Sequence, residues 1–269
     1  MGPEGGYFKE FTFDPTNSDI IYVGSDDGGG VWKSIDAGNS WNLTTFDFPN
    51  MTGWKVVIDE NSTNTIYACD LYGRYGLLKS NDAANSWSEV SIGLTTTYDR
   101  MVSGIVVKTS DTLFISTGES STSTPVRPGN GIFKSYDGGP SWLPAGLQGM
   151  TCPSIGKNEF GTIFAGSEEN GLFYSNDNGI SWLLHPDIPD SSTVFEIQTE
   201  SNILLLASTE GVFLSSDWGI TFNLIGLVGE FNFDACIHKT SPNIEIYSST
   251  LTGLKHYSSA TGLWTLVPG

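Results

Sequence analysis

Short apolar runs separated by Gly, Asn, Asp and Pro recur along the whole chain. The runs are rich in Val, Ile, Tyr, Phe and Thr, and none sustains the 3.6-residue period of an amphipathic helix. In the first repeat unit they predict strand a at Tyr7–Phe13, b at Asp19–Gly24, c at Gly30–Ser34 and d at Trp41–Thr45. The pattern therefore predicts an all-β chain made of four-stranded units.

Two motifs alternate in a fixed order. One is a polar turn followed by a short apolar strand, as in DPTNSDIIYVGS from Asp14 to Ser25. The other is Ser-x-Asp-x-Gly-x-x-Trp, which we call the Ser-Asp turn. It occurs as SIDAGNSW from Ser34, SNDAANSW from Ser80, SYDGGPSW from Ser135, SNDNGISW from Ser175 and SSDWGITF from Ser215, with a degenerate sixth copy at Tyr257–Trp264.

The repeats predict a single β-propeller domain over residues 1–269, because four-stranded units of about 40–50 residues are typical of propeller blades. Six units fill the chain, and each starts at strand a and finishes at strand d. A seventh blade outside this chain is the alternative to closure by six. The predicted blades are residues 7–46, 54–91, 102–145, 150–185, 193–225 and 231–267.

The residues of the Ser-Asp turn have a predicted structural role. The Asp36 carboxylate accepts hydrogen bonds from its own turn, Gly38 takes a positive φ, and Trp41 packs between neighbouring sheets. Each loop is too short to supply the six or more oxygens of a Ca²⁺ site, so no metal is predicted. The same structural roles fall to Ser34, Asp82, Trp87, Asp137, Trp142, Asp177, Trp182, Asp217 and Phe222.

Charge and composition exclude several partners. The chain has 12 Lys+Arg against 30 Asp+Glu, a net charge of −18, which disfavours nucleic acids and anionic membrane surfaces. No apolar run approaches the ~20 residues of a membrane helix, so no membrane insertion is expected. Residues 1–6 lack the basic and apolar stretches of a signal peptide, so a secreted protein would carry its signal outside this chain.

The cysteines and histidines predict no metal site, disulfide framework or cofactor. The three cysteines are far apart in sequence and are expected to be buried free thiols. The three histidines lack the spacing of a zinc site. The residues in question are Cys69, Cys152, Cys236, His185, His238 and His256.

The repeats resemble Asp-box, or BNR, repeats, as found in sialidases, xyloglucanases, sortilin and photosystem II assembly-factor propellers. The resemblance implies that the Ser-Asp turn joins strands c and d on the side opposite the usual ligand face. The b–c and d–a connections would then form that face. These families share the turn and not one activity, so the resemblance implies a fold rather than a reaction.

On that map, five of the six b–c connections carry a carboxylate. A mouth lined by acids could supply a general acid and base, bind a cation, or accept hydrogen bonds from sugar hydroxyls. The alternative is that these are ordinary hairpin-turn residues in an acidic chain. The candidates are Asp26, with Asp27, Asp70, Glu119, Glu168 and Glu210 as its potential partners.

Aromatic and arginine side chains fall on the same predicted face. They could stack on sugar rings or anchor a protein partner, and core packing is the alternative for the aromatic ones. A long b–c connection, Ser120–Asn130, would form part of the rim. The candidate ligand-binding residues are Trp54, Tyr72, Arg74, Tyr75, Tyr98, Arg100, Arg127 and Phe231, with Phe233 nearby.

Two enzyme families can be compared with these residues. Sialidases hold their substrate with three arginines, but the three arginines here all lie in the second and third units, which argues against a sialidase. Residues 5–34 are similar to the opening of the first propeller of xyloglucanases, and the catalytic aspartate of that family matches Asp26. Xyloglucanases use two larger propellers with one acid on each wall of a cleft, whereas a single propeller is predicted here.

We therefore expect a secreted or cell-surface recognition module that binds glycan through the b–c/d–a face, without a cofactor. The first alternative is a glycoside hydrolase acting on β-1,4-glucan or xyloglucan-type polysaccharide, with Asp26 as a catalytic carboxylate. The second is a non-catalytic scaffold for protein assembly, whose ligand would be a protein rather than a polysaccharide. Oligomeric state and catalytic competence stay open.

Overall fold

A computed structural model describes residues 8–26, 29–119, 128–240 and 243–268, and these residues form an all-β six-bladed propeller fold. Each blade is an antiparallel sheet of four consecutive strands, as the repeats predicted. Over these ranges the single helix is α1, Thr97–Arg100. No helix in the described ranges is long and apolar enough to cross a membrane.

Residues 1–151 form a first compact unit, unit 1, which contains blades 1 to 3. In blade 1 the predicted strand c coincides with the observed one, the other three differ by one to two residues at their ends, and Tyr7 lies outside the described residues. The strands are β1 Phe8–Asp14, β2 Asn17–Ser25, β3 Gly30–Ser34 and β4 Asn42–Leu43; β5 Gly53–Asp59, β6 Ser62–Asp70, β7 Leu77–Ser80 and β8 Ser88–Glu89; β9 Val102–Val107, β10 Leu113–Thr117, β11 Ile132–Ser135 and β12 Leu143–Pro144.

Residues 152–269 form a second compact unit, unit 2, which contains blades 4 to 6. Its strands follow the same a-b-c-d order. They are β13 Ser154–Lys157, β14 Ile163–Gly166, β15 Leu172–Ser175 and β16 Leu183–Leu184; β17 Val194–Glu200, β18 Ile203–Ser208, β19 Gly211–Ser215 and β20 Asn223–Gly226; β21 Asn232–Thr240, β22 Asn243–Thr250, β23 Gly253–Ser258 and β24 Leu263–Leu266.

Apolar side chains fill the spaces between adjacent blades of each unit. In unit 1, Tyr22 of blade 1 packs with Val56 and Ile66 of blade 2, and all three are at most 1 % exposed. In unit 2, Phe164 of blade 4 packs with Leu204 of blade 5. Burial of both faces of the middle strands explains their nearly continuous apolar runs, and burial of this apolar surface is the main stabilising contribution.

The prediction that all three cysteines are buried is wrong for Cys236. Cys69 and Cys152 are buried, whereas Cys236 is exposed. Ala235 and Ile237 point towards blade 5, so the alternation of a strand turns Cys236 to the opposite face. Burial raises the pKa of the Cys152 thiol to about 12, which keeps it protonated.

The five Ser-Asp turns that contain an aspartate are closed by their own side chains. The Ser34 hydroxyl donates to Asp36 Oδ1 at 2.8 Å, and the Ser40 backbone N–H donates to the same oxygen at 2.8 Å. Ala37 and Gly38 have φ of 55° and 85°, the left-handed region that glycine adopts most easily. Equivalent hydrogen bonds surround Asp82, Asp137, Asp177 and Asp217.

The aromatic residue that ends a Ser-Asp turn reaches the preceding blade in four copies, among them Trp264 of the degenerate sixth copy, which donates from Nε1 to the Ile225 carbonyl at 2.9 Å. Trp142 donates from Nε1 to the Val90 carbonyl at 2.8 Å and is 1 % exposed. The Trp87 indole donates to Thr44 Oγ1 at 3.2 Å. Phe222 lies edge-on to Phe164. The remaining copies, Trp41 and Trp182, are half-buried.

We predict that acid destabilises the fold through these turns. Hydrogen bonds from Ser86 and Ser181 lower the pKa of Asp82 and Asp177 to about 2. Because aspartate in an unfolded chain has a pKa of about 3.9, their stabilising contribution is complete above that pH and is lost as the pH falls towards 2.

The measurement is the urea unfolding midpoint between pH 5 and pH 2.5. We expect the midpoint to fall with pH, and to fall less in a variant carrying both Asp82→Asn and Asp177→Asn. The exposed residue Asp47 lies outside the turns, so Asp47→Asn is the matched control and should leave the wild-type profile unchanged. A midpoint that is constant across this range would contradict the role of the turns.

Candidate functional site

The topology of a blade defines two sides. The a–b and c–d turns lie on one side, the turn side, and the b–c turns and d–a connections lie on the other, the loop side. On the loop side of unit 1, blades 1 and 2 meet backbone to backbone. A Cβ placed on Gly24 would lie 1.9 Å from the Gly53 carbonyl oxygen, so glycine is required there. This contact places the first residues of β5 beside the b–c turn of blade 1.

The side chains of Lys9, Asp26 and Trp54 form a polar and aromatic group at this junction, which we call the Lys9–Trp54 cluster. The Lys9 ammonium lies 4.0 Å from the centroid of the Trp54 ring and 3.5 Å from Asp26 Oδ2. Lys55 pairs with Glu10 at 3.1 Å. Cation–π attraction and one ion pair therefore connect the three members of the cluster, and the Lys55–Glu10 pair joins the same two strands, β1 and β5.

Two β-bulges orient this cluster. The pairing of β1 with β2 shifts between Phe8 and Phe11, which displaces Lys9 and Glu10 from regular alternation. The pairing of β5 with β6 shifts between Gly53 and Lys55, and Trp54 is the extra residue. A bulge redirects the side chain that it carries. Trp54 was predicted in the connection before strand a, but it lies within β5.

Asp70 organises the loops around the cluster. Its side chain is fully buried, and its carboxylate accepts backbone N–H groups of Thr52 at 3.2 Å, Tyr72 at 3.3 Å and Tyr75 at 2.8 Å. Burial raises the pKa of Asp70, and the backbone donors oppose that rise. These contacts hold together the d–a connection before blade 2 and the b–c turn of blade 2. Asp70 therefore has a structural role, because backbone encloses its carboxylate and a ligand cannot reach it.

The b–c turn of blade 2 carries one packed and two more accessible candidates. Tyr75 lies edge-on to Phe48 and donates its hydroxyl to the Pro49 carbonyl at 3.0 Å, so its ring supports the preceding connection. Tyr72 is half-buried, and Arg74 is exposed. Tyr75 therefore contributes packing rather than a free aromatic face.

Helix α1 places two further candidates beside that turn. Tyr98 is 52 % exposed. Arg100 pairs with Glu89 and donates to the Arg74 carbonyl at 3.1 Å, which ties α1 to the b–c turn of blade 2. A capping box of Thr96 and Asp99 fixes the short helix. On the loop side of unit 1, Tyr98 and Arg74 are therefore exposed on two segments that Arg100 holds together.

The other candidates are spread over both units. Glu119 follows β10 in unit 1 and is half-buried. Glu168 and Glu210 are half-buried in b–c turns of unit 2, and Phe231 precedes β21 with 39 % of its surface exposed. Asp27 and Arg127 lie outside the described residues. Across the described ranges, no group of three or more His, Cys, Asp or Glu side chains is placed to hold a metal ion.

The sequence did not single out Lys9, Glu10 and Lys55. One signal was present: FKEFTFD, the segment of β1, carries a Lys-Glu pair where a regular alternation would place one polar residue. That irregularity marks the bulge. The contact between Lys9 and Trp54 joins two blades, and nothing in the separate repeats indicates it.

Comparison with known proteins shows the fold and a sequence likeness over slightly less than half of the chain. No protein-family model matches. A xyloglucanase from Paenibacillus sp. is 28 % identical over an alignment of 165 residues, which covers 48 % of this chain and 15 % of that protein. The chain therefore matches only a small part of the length of that relative.

Solved structures with the same fold come from functionally different proteins. The GH74 xyloglucanase from Xanthomonas campestris superposes with a TM-score of 0.72 at 12 % identity, over 96 % of this chain and 46 % of that chain. The extracellular domain of a protein described as a one-component system, from B. thetaiotaomicron, gives 0.73 at 15 % identity, over 100 % and 34 %. YCF48 from Cyanidioschyzon merolae gives 0.67 at 13 % identity, over 98 % and 85 %, and YCF48 has also been solved bound to a D1 peptide.

Proposed function

We propose that this chain is an extracellular module that binds a neutral polysaccharide, of the β-1,4-glucan or xyloglucan type, through the loop side of unit 1. The Lys9–Trp54 cluster carries this proposal. It joins a partly exposed indole to an ammonium group and a carboxylate within one small area. Ligand sites combine an apolar surface with a few fixed polar groups in this way.

The chemistry of the cluster suits a sugar ring. An indole offers a flat apolar surface for the C–H face of a pyranose. Lys9 donates to hydroxyl oxygens, and Asp26 accepts from hydroxyl hydrogens. Their side chains are 33 % and 15 % exposed, so both are partly shielded from water, where hydrogen bonds to charged groups contribute more.

The comparisons support this class of ligand and location without fixing either. The sequence likeness is to a xyloglucanase, and one structure of the same fold is an extracellular domain. The excess of acidic residues agrees with a neutral ligand, because an anionic polymer would be repelled.

We predict that Trp54→Ala weakens binding of a xyloglucan heptasaccharide at least tenfold, because it removes the stacking surface and the partner of Lys9. The measurement is a titration followed by isothermal calorimetry. Trp41→Ala is the matched control and should bind as wild type. Trp41 is also a half-buried tryptophan, but it lies on the turn side, in blade 1. Equal affinity of Trp54→Ala and wild type would refute this placement of the site.

A hydrolase is the second candidate, and the position of Asp26 favours it. Asp26 is a half-buried carboxylate in the cluster, beside a cation. Glycosidases require two carboxylates on either side of the scissile bond, and Glu10, which follows Lys9 on β1 and pairs with Lys55, is the candidate for the second carboxylate. Release of reducing ends that stops in Asp26→Asn, with binding retained, would make the chain an enzyme. No release by wild type would leave it a binding module.

A further inference from the structure

Strand a of five blades contains a one-residue shift in its pairing with strand b near the loop side. In β5, β17 and β21 the shift lies between Gly53 and Lys55, between Val194 and Glu196, and between Asn232 and Asp234. The extra residue is aromatic in these three blades, namely Trp54, Phe195 and Phe233, whereas it is Ser103 in β9, and in β1 the shift falls on Lys9 and Glu10. A bulge redirects the residue that it carries, so in these three blades this position presents aromatic rings on the loop side.

Two of these residues lie in unit 2 and join a third ring. The rings of Phe231 and Phe233 are nearly parallel, at 21°, with centroids 6.3 Å apart. Phe195 lies 5.6 Å from Phe233. Phe231 and Phe233 remain 39 % and 37 % exposed, so both rings can be reached from solvent. We call these three residues the phenylalanine platform.

Asn232 holds the platform in place. It is fully buried between the two exposed phenylalanines, and its amide donates to the Ser208 carbonyl at 3.2 Å and the Glu230 carbonyl at 2.7 Å. Its side-chain oxygen accepts the Ser248 hydroxyl at 3.2 Å. The segment is therefore fastened to blades 5 and 6, and its rings are ordered before a ligand arrives, which lowers the entropy cost of binding.

Hydrogen-bonding groups border the platform on the loop side of blade 6. The Thr252 hydroxyl donates to Glu230 Oε2 at 2.7 Å, and Lys255 lies 3.6 Å from Glu230 Oε1. The hydrogen bond from Thr252 lowers the pKa of Glu230, so the carboxylate is charged at neutral pH. Glu230 and Lys255 are 29 % and 18 % exposed, which leaves an acceptor and a donor within reach of solvent.

We propose that the phenylalanine platform and its Glu230–Lys255 border form a second saccharide-binding site, separate from the Lys9–Trp54 cluster, for a neutral β-linked glucan. The rings receive the C–H faces of consecutive sugars, and the border receives hydroxyl groups. The choice of a glucan as the ligand rests on the proposed function, whereas the position of the site rests on the ring contacts and the Glu230–Lys255 pair. Residues 152–269 contain 3 lysines, no arginine and 13 acidic residues, which disfavours an acidic polysaccharide.

The test is calorimetric titration of the full chain with cellohexaose, with hexagalacturonate as the anionic comparison. Wild type should bind two cellohexaose molecules per chain and no hexagalacturonate. Trp54→Ala and Phe233→Ala should each bind one, and the double variant none. Phe160→Ala is the matched control, since Phe160 is a 75 % exposed phenylalanine on the turn side of unit 2, and it should behave as wild type.

The outcomes separate the two proposals. If Phe233→Ala binds as wild type while Trp54→Ala loses all binding, the second site is refuted and the proposed function stands. If Phe233→Ala loses all binding while Trp54→Ala binds as wild type, the platform is a saccharide site and the Lys9–Trp54 cluster is not. Absence of binding by wild type would overturn both.

Discussion

Trp142→Ala should destabilise the fold by about 3–5 kcal/mol, the largest effect that we expect from the loss of packing at a single side chain. Trp142 is 1 % exposed and packs with Val90, Leu94 and Leu113. Its truncation would leave a cavity, and the Val90 carbonyl would lose its hydrogen bond from the indole. Because Val90 follows β8, the substitution would also loosen blade 3 from blade 2. Urea unfolding monitored by far-ultraviolet circular dichroism measures the change.

Two further variants assign the effect to its causes. Trp142→Phe keeps most of the ring and removes the N–H donor, so it should cost roughly half as much. Trp182→Ala changes the equivalent residue of blade 4, which is half-buried, and should cost less than half as much. Equal costs for Trp142→Ala and Trp182→Ala would contradict the contribution that we assign to packing between blades 2 and 3.

Asp70→Ala should destabilise the chain by about 3 kcal/mol or more and also weaken saccharide binding. Three backbone N–H groups that point to the carboxylate would lose their acceptor in a buried site, and each unsatisfied buried donor costs about 1–3 kcal/mol. The segments that carry Trp54 and Tyr72 would lose their common anchor. Thermal unfolding and the heptasaccharide titration measure the two effects.

Asp70→Asn is the graded control for this prediction. The asparagine oxygen can replace Oδ1, which accepts from Thr52 and Tyr72, but its amide cannot accept from Tyr75. It should therefore fall between wild type and Asp70→Ala in both measurements. Normal stability of Asp70→Ala would mean that the carboxylate does not organise these loops. Loss of activity or binding in Asp70→Asn at unchanged stability would instead point to a direct role with ligand.

The blade architecture could be predicted because it depends on sequence patterns that span only a few residues. Short apolar runs within β2 and β6, and turn residues such as Asp36 and Gly38, act over a few positions and recur in each unit. Recurrence of the two motifs in one order then determined the number of blades.

The site could be predicted only in part because its contacts join separate repeats. The sequence placed Asp26 and Trp54 on one side of the fold, but not the Lys9 side chain that lies against both. Asp70 is a turn acid like Asp26 in the sequence, yet backbone donors from two segments enclose it. Bulges decide which residue of a strand is redirected, and they depend on pairing rather than on composition.

Electrophoresis of the native protein through gels cast with xyloglucan, mixed-linkage glucan, xylan, mannan or no polysaccharide tests the central claim most directly. Binding through the loop side predicts retardation in the xyloglucan or glucan gel, without clearing of the polymer, and reduced retardation of Trp54→Ala. Equal mobility in all five gels would contradict polysaccharide recognition and would favour a protein as the ligand of the loop side.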